Sequence, residues 1–416
     1  QIYLTFAISQ AIYSLAYENF YKSPLSSLYM FKKMSLGRRY FLYTSLSILT
    51  GASAVSIGEN RNFIYSQALD NSNKEFKVAG KNSLKARAAA KGLIYGAAAV
   101  KDYLVSNTNL KTSFVRECNM LVPDYQLKWD SIRPHPKKFD FTKSDWLAQF
   151  AQRHGMFFRG HTLVWHQALP VWFQEVANRK NAESLLLEHI TTVTKHYGGK
   201  IHSWDVVNEA IEIDDGRTDG LRKTPWLEFL GADYIELAFR TAAACDPKAM
   251  LVYNDYGLEY DSYQDGAKRT AVLKLLERLK SRGTPIHALG MQSHLMGHIP
   301  GFNAKKLRSF LADVASLGLK ILITELDVID QELTSDPIAR DRIIAGLYED
   351  YLNIVLDERA VIAVLTWGLS DKYTWVSSFY PRSDKSPVRP LPLDSNMKYK
   401  LAWNAIARAF DHAPKR

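Results

Sequence analysis

A closed (β/α)8 TIM barrel of the α/β class, formed as a single domain, is the fold this sequence predicts. Three observations lead to it. From residue 91 onward, short apolar runs alternate with amphipathic helical patterns, as expected of a parallel sheet covered by helices. The alternation occurs eight times, the number that closes a barrel. No glycine-rich phosphate loop follows the first run, which argues against the alternative, an open doubly wound sheet.

The expected strands are 92–98, 113–120, 156–163, 201–207, 249–254, 287–292, 320–324 and 361–366. Helical patterns lie at 143–154, 183–196, 226–244, 265–282, 305–317 and 338–356. The last carries Ile343, Leu347, Tyr351, Ile354 and Val355 at helical spacing with charged residues between them. The barrel domain is expected over 85–412, after an upstream extension (1–33), an export segment (34–68) and a polar linker (69–84).

Composition narrows the function. The 416 residues are 47% hydrophobic and 23% charged, which suits a large core and excludes a disordered chain. Two cysteines, Cys118 and Cys245, exclude a disulfide scaffold and a four-thiolate zinc site, and both are expected as free thiols. The net charge of +10 is concentrated at the ends, with +4 in residues 1–68 and +5 in 380–416. A nucleic-acid binder would carry that charge across its folded body, so no nucleic-acid partner is expected. Near the start, Arg38-Arg39-Tyr40-Phe41-Leu42 precedes a moderately apolar stretch and small-residue sites at 52–54 and 66–68. This string resembles a twin-arginine signal peptide, implying export to the periplasm or beyond. No membrane association after cleavage is expected, and the protein is read as a monomer.

In a (β/α)8 barrel, chemistry sits at the carboxyl ends of the strands. The residues that gather there are Lys128 and Trp129; His161, Trp165 and His166; Asn208 and Glu209; Asn254, Asp255 and Tyr256; Gln292 and His294; Glu325 and Asp327; Trp367, Asp371 and Trp375. Glu209 ends the expected fourth strand and Glu325 the seventh, three apart in a ring of eight. A single glutamate there is commonly a salt-bridged strand end. Two facing one cleft suggest paired carboxylates, one to donate a proton and one to face a cation-like sugar carbon. His294 donating toward Glu325 would favour its ionised form, leaving the proton with Glu209. Trp165, Trp367 and Trp375 offer apolar rings for the flat faces of sugars, although any one of them can equally cap the core. His161, His166 and His294 raise a metal alternative, but their spacing is not that of a helical ligand pair, and no metal is expected.

Six strings then carry a resemblance: GHTLVWH (160–166), WDVVNEA (204–210), NDY (254–256), QSHL (292–295), ITELDV (323–328) and WGLSDKYTW (367–375). In this order and spacing they resemble glycoside hydrolase family 10, a family dominated by retaining endo-1,4-β-xylanases with (β/α)8 barrels. The resemblance implies Glu209 as acid/base and Glu325 as nucleophile, with His294 and Asp327 around the nucleophile and Asn208 at the sugar 2-hydroxyl. It implies Lys128, His161, Trp165, Gln292, Trp367 and Trp375 as glycone-side contacts, and Tyr256 on the aglycone side. It implies xylan or xylo-oligosaccharides as substrate and no cofactor. Where the family reads T-P-E-N-x-M-K-W, this chain reads VPDYQLKW, so Asp124 and Tyr125 replace a Glu and an Asn; after His166 the family's Ser-Gln-Leu is Gln167-Ala168-Leu169, so Ala168 replaces a Gln. These departures predict weaker binding beyond the first glycone sugar and a preference for short or decorated chains. The competing readings are a barrel hydrolase for another β-1,4-glycan and a non-catalytic sugar-binding barrel. The latter would be expected to lack one of the two glutamates.

Overall fold

The computed structural model describes residues 74–299 and 301–416. The expected upstream extension (1–33) and export segment (34–68) lie outside the described residues. The described strands are β1 (Ile94–Ala99), β2 (Met120–Pro123), β3 (Phe157–Gly160), β4 (Ser203–Asn208), β5 (Met250–Asp255), β6 (Ala288–Met291), β7 (His294–Met296), β8 (Lys320–Ile329) and β9 (Val361–Thr366). They hydrogen-bond in the order β6-β5-β4-β3-β2-β1-β9-β8, and a β6–β8 pairing closes the ring. Every ladder is parallel. The result is the expected eight-stranded barrel, with β7 as a short addition on the upper end of β8, where His294 lies opposite Asp327.

The barrel is filled by the inward side chains of its strands. Ala98, Met120, Val122, Val252, Ala288, Leu322, Ala363 and Leu365 form one buried cluster capped by Trp367. Small residues from one strand face larger ones from another, which lets the layers interdigitate at close-packed density. Helix starts are fixed locally. Ser262, Asn303 and Thr224 accept from the backbone N–H three residues on, and Pro225 and Pro337 occupy first helical turns.

Three sequence expectations need correction. The strand expected at 113–120 is instead the end of a helix, Thr108–Glu117, followed by β2. Leu110, Ser113, Phe114 and Glu117 bury one helical face, and the Asn107 side chain accepts from Leu110 N at 3.0 Å to start it. The helix expected over 226–244 is broken into Pro225–Leu230 and Tyr234–Cys245 by Gly231, whose φ of 70° a helix does not allow. The described part of the expected linker is attached to the barrel. Phe76 is buried, its carbonyl accepts from Asn404 Nδ2 at 2.9 Å, and Arg87 donates to Ala79 O at 2.7 Å. Cys118 and Cys245 are free thiols.

Candidate active site

The two glutamates reach the barrel mouth by different backbone devices. Glu209 directly follows β4 and has φ 56°, a left-handed conformation that turns it out of the strand line. Glu325 does not end its strand, as expected from sequence, but lies inside β8, which runs on past the rim to Ile329. The register of β8 against β9 slips between Ile323 and Leu326, and such a slip re-aims the side chains within it. Both carboxylates are almost covered, with 9% of Glu209 and 5% of Glu325 exposed. Their partners therefore decide their charge.

Around Glu325 the partners favour the anion. His294 Nε2 stands 3.3 Å from Glu325 Oε2, and its other ring nitrogen, Nδ1, stands 2.9 Å from Asp327 Oδ1. Trp375 Nε1 donates to the second oxygen of Asp327 at 2.7 Å, fixing that carboxylate in turn. Burial alone would push the imidazole down, but Asp327 and Glu325 outweigh it and raise His294 to about 10. Burial likewise works against the charge of Glu325, yet His294, His161 and Asn254 bring it down to about 2. His161 Nδ1 is 3.9 Å from Glu325 Oε1 and 2.9 Å from Asp205 Oδ2. Asp205 itself is buried against Arg159.

Around Glu209 the donors are uncharged. Trp165 Nε1 donates to Oε2 at 2.9 Å, and Gln292 Nε2 and Asn208 Nδ2 donate to Oε1 at 3.0 and 3.3 Å. An unbroken series of amides joins the two carboxylates. Asn254 Nδ2 donates to Glu325 Oε1 and to Asn208 Oδ1, both at 2.8 Å, and Gln292 Nε2 reaches Asn208 Oδ1 at 3.3 Å as well as Glu209.

The expected sugar-contacting residues line the same mouth. Lys128 is 3% exposed, and its ammonium sits 5.0 Å from the Trp165 ring, 5.5 Å from Tyr125 and 5.9 Å from Trp367. His161 stands edge-on to Trp367 at 5.2 Å, and His294 edge-on to Trp375 at 4.8 Å. Tyr125, one of the departures from the family pattern, donates its hydroxyl to Asp130. Tyr256 OH donates to Glu212 at 3.0 Å and accepts from Arg222 at 2.7 Å, while Lys268 Nζ lies 3.4 Å over its ring. His166 is buried beside the Trp165 ring, and burial with the Arg222 charge pushes it well down, so it is a neutral imidazole. Among the described residues, no group of three or more His, Cys, Asp or Glu is placed to hold a metal ion.

Sequence reasoning assigned no role to Asn254, Asp205 or Arg222. Asn254 and Asp205 lay within strings already singled out, and a charged Asp205 inside an apolar strand was the available signal. Arg222 carried none, because only the folding-back of the loop after β4 brings it under Glu209.

The chain is similar to known proteins along most of the barrel. The family model "Glycosyl hydrolase family 10" matches residues 83–409. The chain is 35% identical over 324 residues to the "Beta-1,4-xylanase" of Dictyoglomus thermophilum, covering 74% of this chain and 89% of that protein. It is 34% identical over 306 residues to "Endo-1,4-beta-xylanase B" of Thermotoga neapolitana, covering 72% and 83%. Native xylanase 10B of Thermotoga maritima superimposes with a TM-score of 0.72 at 34% identity, over 79% of this chain and 98% of that one. Two carboxylates across a barrel mouth, joined by amides and walled by tryptophans, thus occur in a chain that belongs to glycosyl hydrolase family 10.

Proposed function

We propose that this protein is a retaining endo-1,4-β-xylanase in which Glu325 is the nucleophile and Glu209 the acid/base. The observation that carries the assignment is the asymmetry of the pair. Glu325 faces a protonated His294, whereas the side-chain donors to the Glu209 carboxylate, Trp165, Gln292 and Asn208, are neutral. In the first step, Glu325 attacks the anomeric carbon of a xylosyl unit. The glycosidic C–O bond breaks, and Glu209 gives its proton to the departing oxygen. In the second step, Glu209 takes a proton from water, the resulting oxygen nucleophile attacks the same carbon, and the ester to Glu325 is released. Lys128, His161, Gln292, Trp165, Trp367 and Trp375 hold the glycone, Asn208 contacts its 2-hydroxyl, and Tyr256 meets the aglycone. The xylanase names of the similar proteins support xylan as the polymer.

Kinetics of Glu209→Ala and Glu325→Ala with an activated aryl xylobioside and added azide test the assignment. Rescue of Glu209→Ala as the β-azide and of Glu325→Ala as the α-azide is expected. Rescue of neither, or the reverse pair, overturns it. Reducing-sugar release from xylan, carboxymethyl-cellulose and mannan tests the polymer, with xylan expected to be preferred. Export through a twin-arginine route is supported by Arg38-Arg39-Tyr40-Phe41-Leu42. A reporter fused behind residues 34–68 should reach the periplasm, and Arg38→Lys with Arg39→Lys should stop it; an unchanged reporter would refute that route.

A further inference from the structure

Glu209 is a side-chain-bearing residue held at φ 56°. Such a conformation persists only where the surroundings fix the backbone on both sides. On the amino side, Glu209 N donates to Asn254 O at 2.8 Å, tying it to β5. On the carboxyl side, the Glu209 carbonyl accepts from Arg222 Nε at 2.8 Å. The chain from Ala210 to Arg222 folds back on itself to deliver that guanidinium. Ile211 bridges Leu221, Glu212 N donates to Gly220 O at 2.9 Å, and Arg222 N donates to Ala210 O at 2.7 Å. The other arm of the guanidinium is also held, by Tyr256 OH at 2.7 Å and Glu212 at 2.9 Å. A planar fork of this kind holds two partners at fixed angles, which a lysine ammonium does not.

We propose that Arg222 is a positioning residue for proton transfer: it fixes the backbone from which Glu209 reaches the leaving oxygen and ties that backbone to Tyr256 on the aglycone side. The inference rests on Glu209 being the acid/base. Arg222 touches neither the sugar carbon nor Glu325 in this scheme. Its loss is therefore expected to impair protonation of the leaving group and to spare nucleophilic attack.

A series of aryl β-xylobiosides with leaving groups from dinitrophenol to unactivated phenol tests this through kcat/KM, which reports the first bond cleavage. Arg222→Met should lose roughly tenfold or more on the unactivated phenol and less than about threefold on the dinitrophenyl substrate, whose departure needs no proton. The dependence on leaving-group acidity should steepen, and Arg222→Lys should restore part of the loss. If Arg222→Met does not fold, Arg222→Lys should show the same leaving-group-dependent loss in milder form. An equal loss across the series, or a change confined to KM, overturns the proposal. Glu209→Ala in parallel separates the two layers. If that variant shows no leaving-group dependence, the acid/base assignment itself fails. If it shows the dependence and the Arg222 variants do not, only the role of Arg222 fails.

Discussion

Asn254 and Glu325 are joined by a 2.8 Å hydrogen bond from Nδ2 to Oε1, and the same nitrogen holds Asn208 Oδ1 at 2.8 Å. The other end of the Asn254 amide is fixed too, because Thr324 Oγ1 donates to Asn254 Oδ1 at 2.7 Å. This places Asn254 against β6, where a Cβ on Gly290 would come within 2.2 Å of Asn254 Oδ1. The absence of a side chain at residue 290 is thus part of the placement of Glu325.

Gly290→Ala should therefore reduce kcat/KM on xylan by roughly 10- to 100-fold, the scale of a displacement of about 1 Å at reacting groups. Steady-state kinetics check this, with thermal unfolding run alongside. A variant with full activity would mean that Asn254 can shift without moving Glu325.

His294 and Glu325 set a pH dependence whose sign follows from the direction of each shift. Glu325 lies below its ordinary 4.5, at about 2, so its contribution to stability is full above 4.5 and is lost as pH falls toward 2. His294 lies above its ordinary 6.5, at about 10, so its contribution is full below 6.5 and is lost as pH rises through about 10. The Tm difference between the wild type and His294→Asn should be largest between pH 4.5 and 6.5 and should narrow on both sides. In the same variant, the acid limb of kcat/KM should move to higher pH, because burial then dominates at Glu325. A Tm gap independent of pH would contradict this account.

Gly160 ends β3 beneath the indole of Trp204, and a Cβ there would fall 2.0 Å from a ring carbon. Trp204 is fully buried, so the ring has nowhere to retreat. Gly160→Ala should cost about 1–3 kcal/mol or more as overpacking, read as a lowered midpoint in denaturant.

Tyr125 is tied to Asp130, and its ring lies 5.5 Å from the Lys128 ammonium. The wild type should gain little in kcat/KM when a second glycone xylose is added. Tyr125→Asn should increase that gain by roughly 2- to 10-fold, the worth of one hydrogen bond. Comparing aryl xylosides, aryl xylobiosides and xylotetraose measures it, and an equal gain in both proteins would rule out a role for Tyr125.

The barrel was legible in the sequence because each strand buried on both faces reads as a continuous apolar run, and each covering helix keeps its periodic stripe. The mistaken strand at 113–120 shows the limit of that signal. Ser113, Phe114 and Val115 read equally well as strand or helix until burial of Leu110, Phe114 and Glu117 settles the period. Charge inside the fold is similarly ambiguous. Glu117 is buried even more completely than Glu209 and Glu325, yet it is held by Leu84 N, Trp403 Nε1 and Tyr399 OH and takes no part in the mouth.

Residue type and order alone thus determined the fold, the two glutamates and the tryptophans around them, since these depend on local periodicity and on strand ends. Tertiary structure alone decided that Asn254 links the pair and that Arg222 lies under Glu209. Those relations depend on hydrogen bonds between strands and loops far apart in the chain, whose lengths and angles no local pattern encodes.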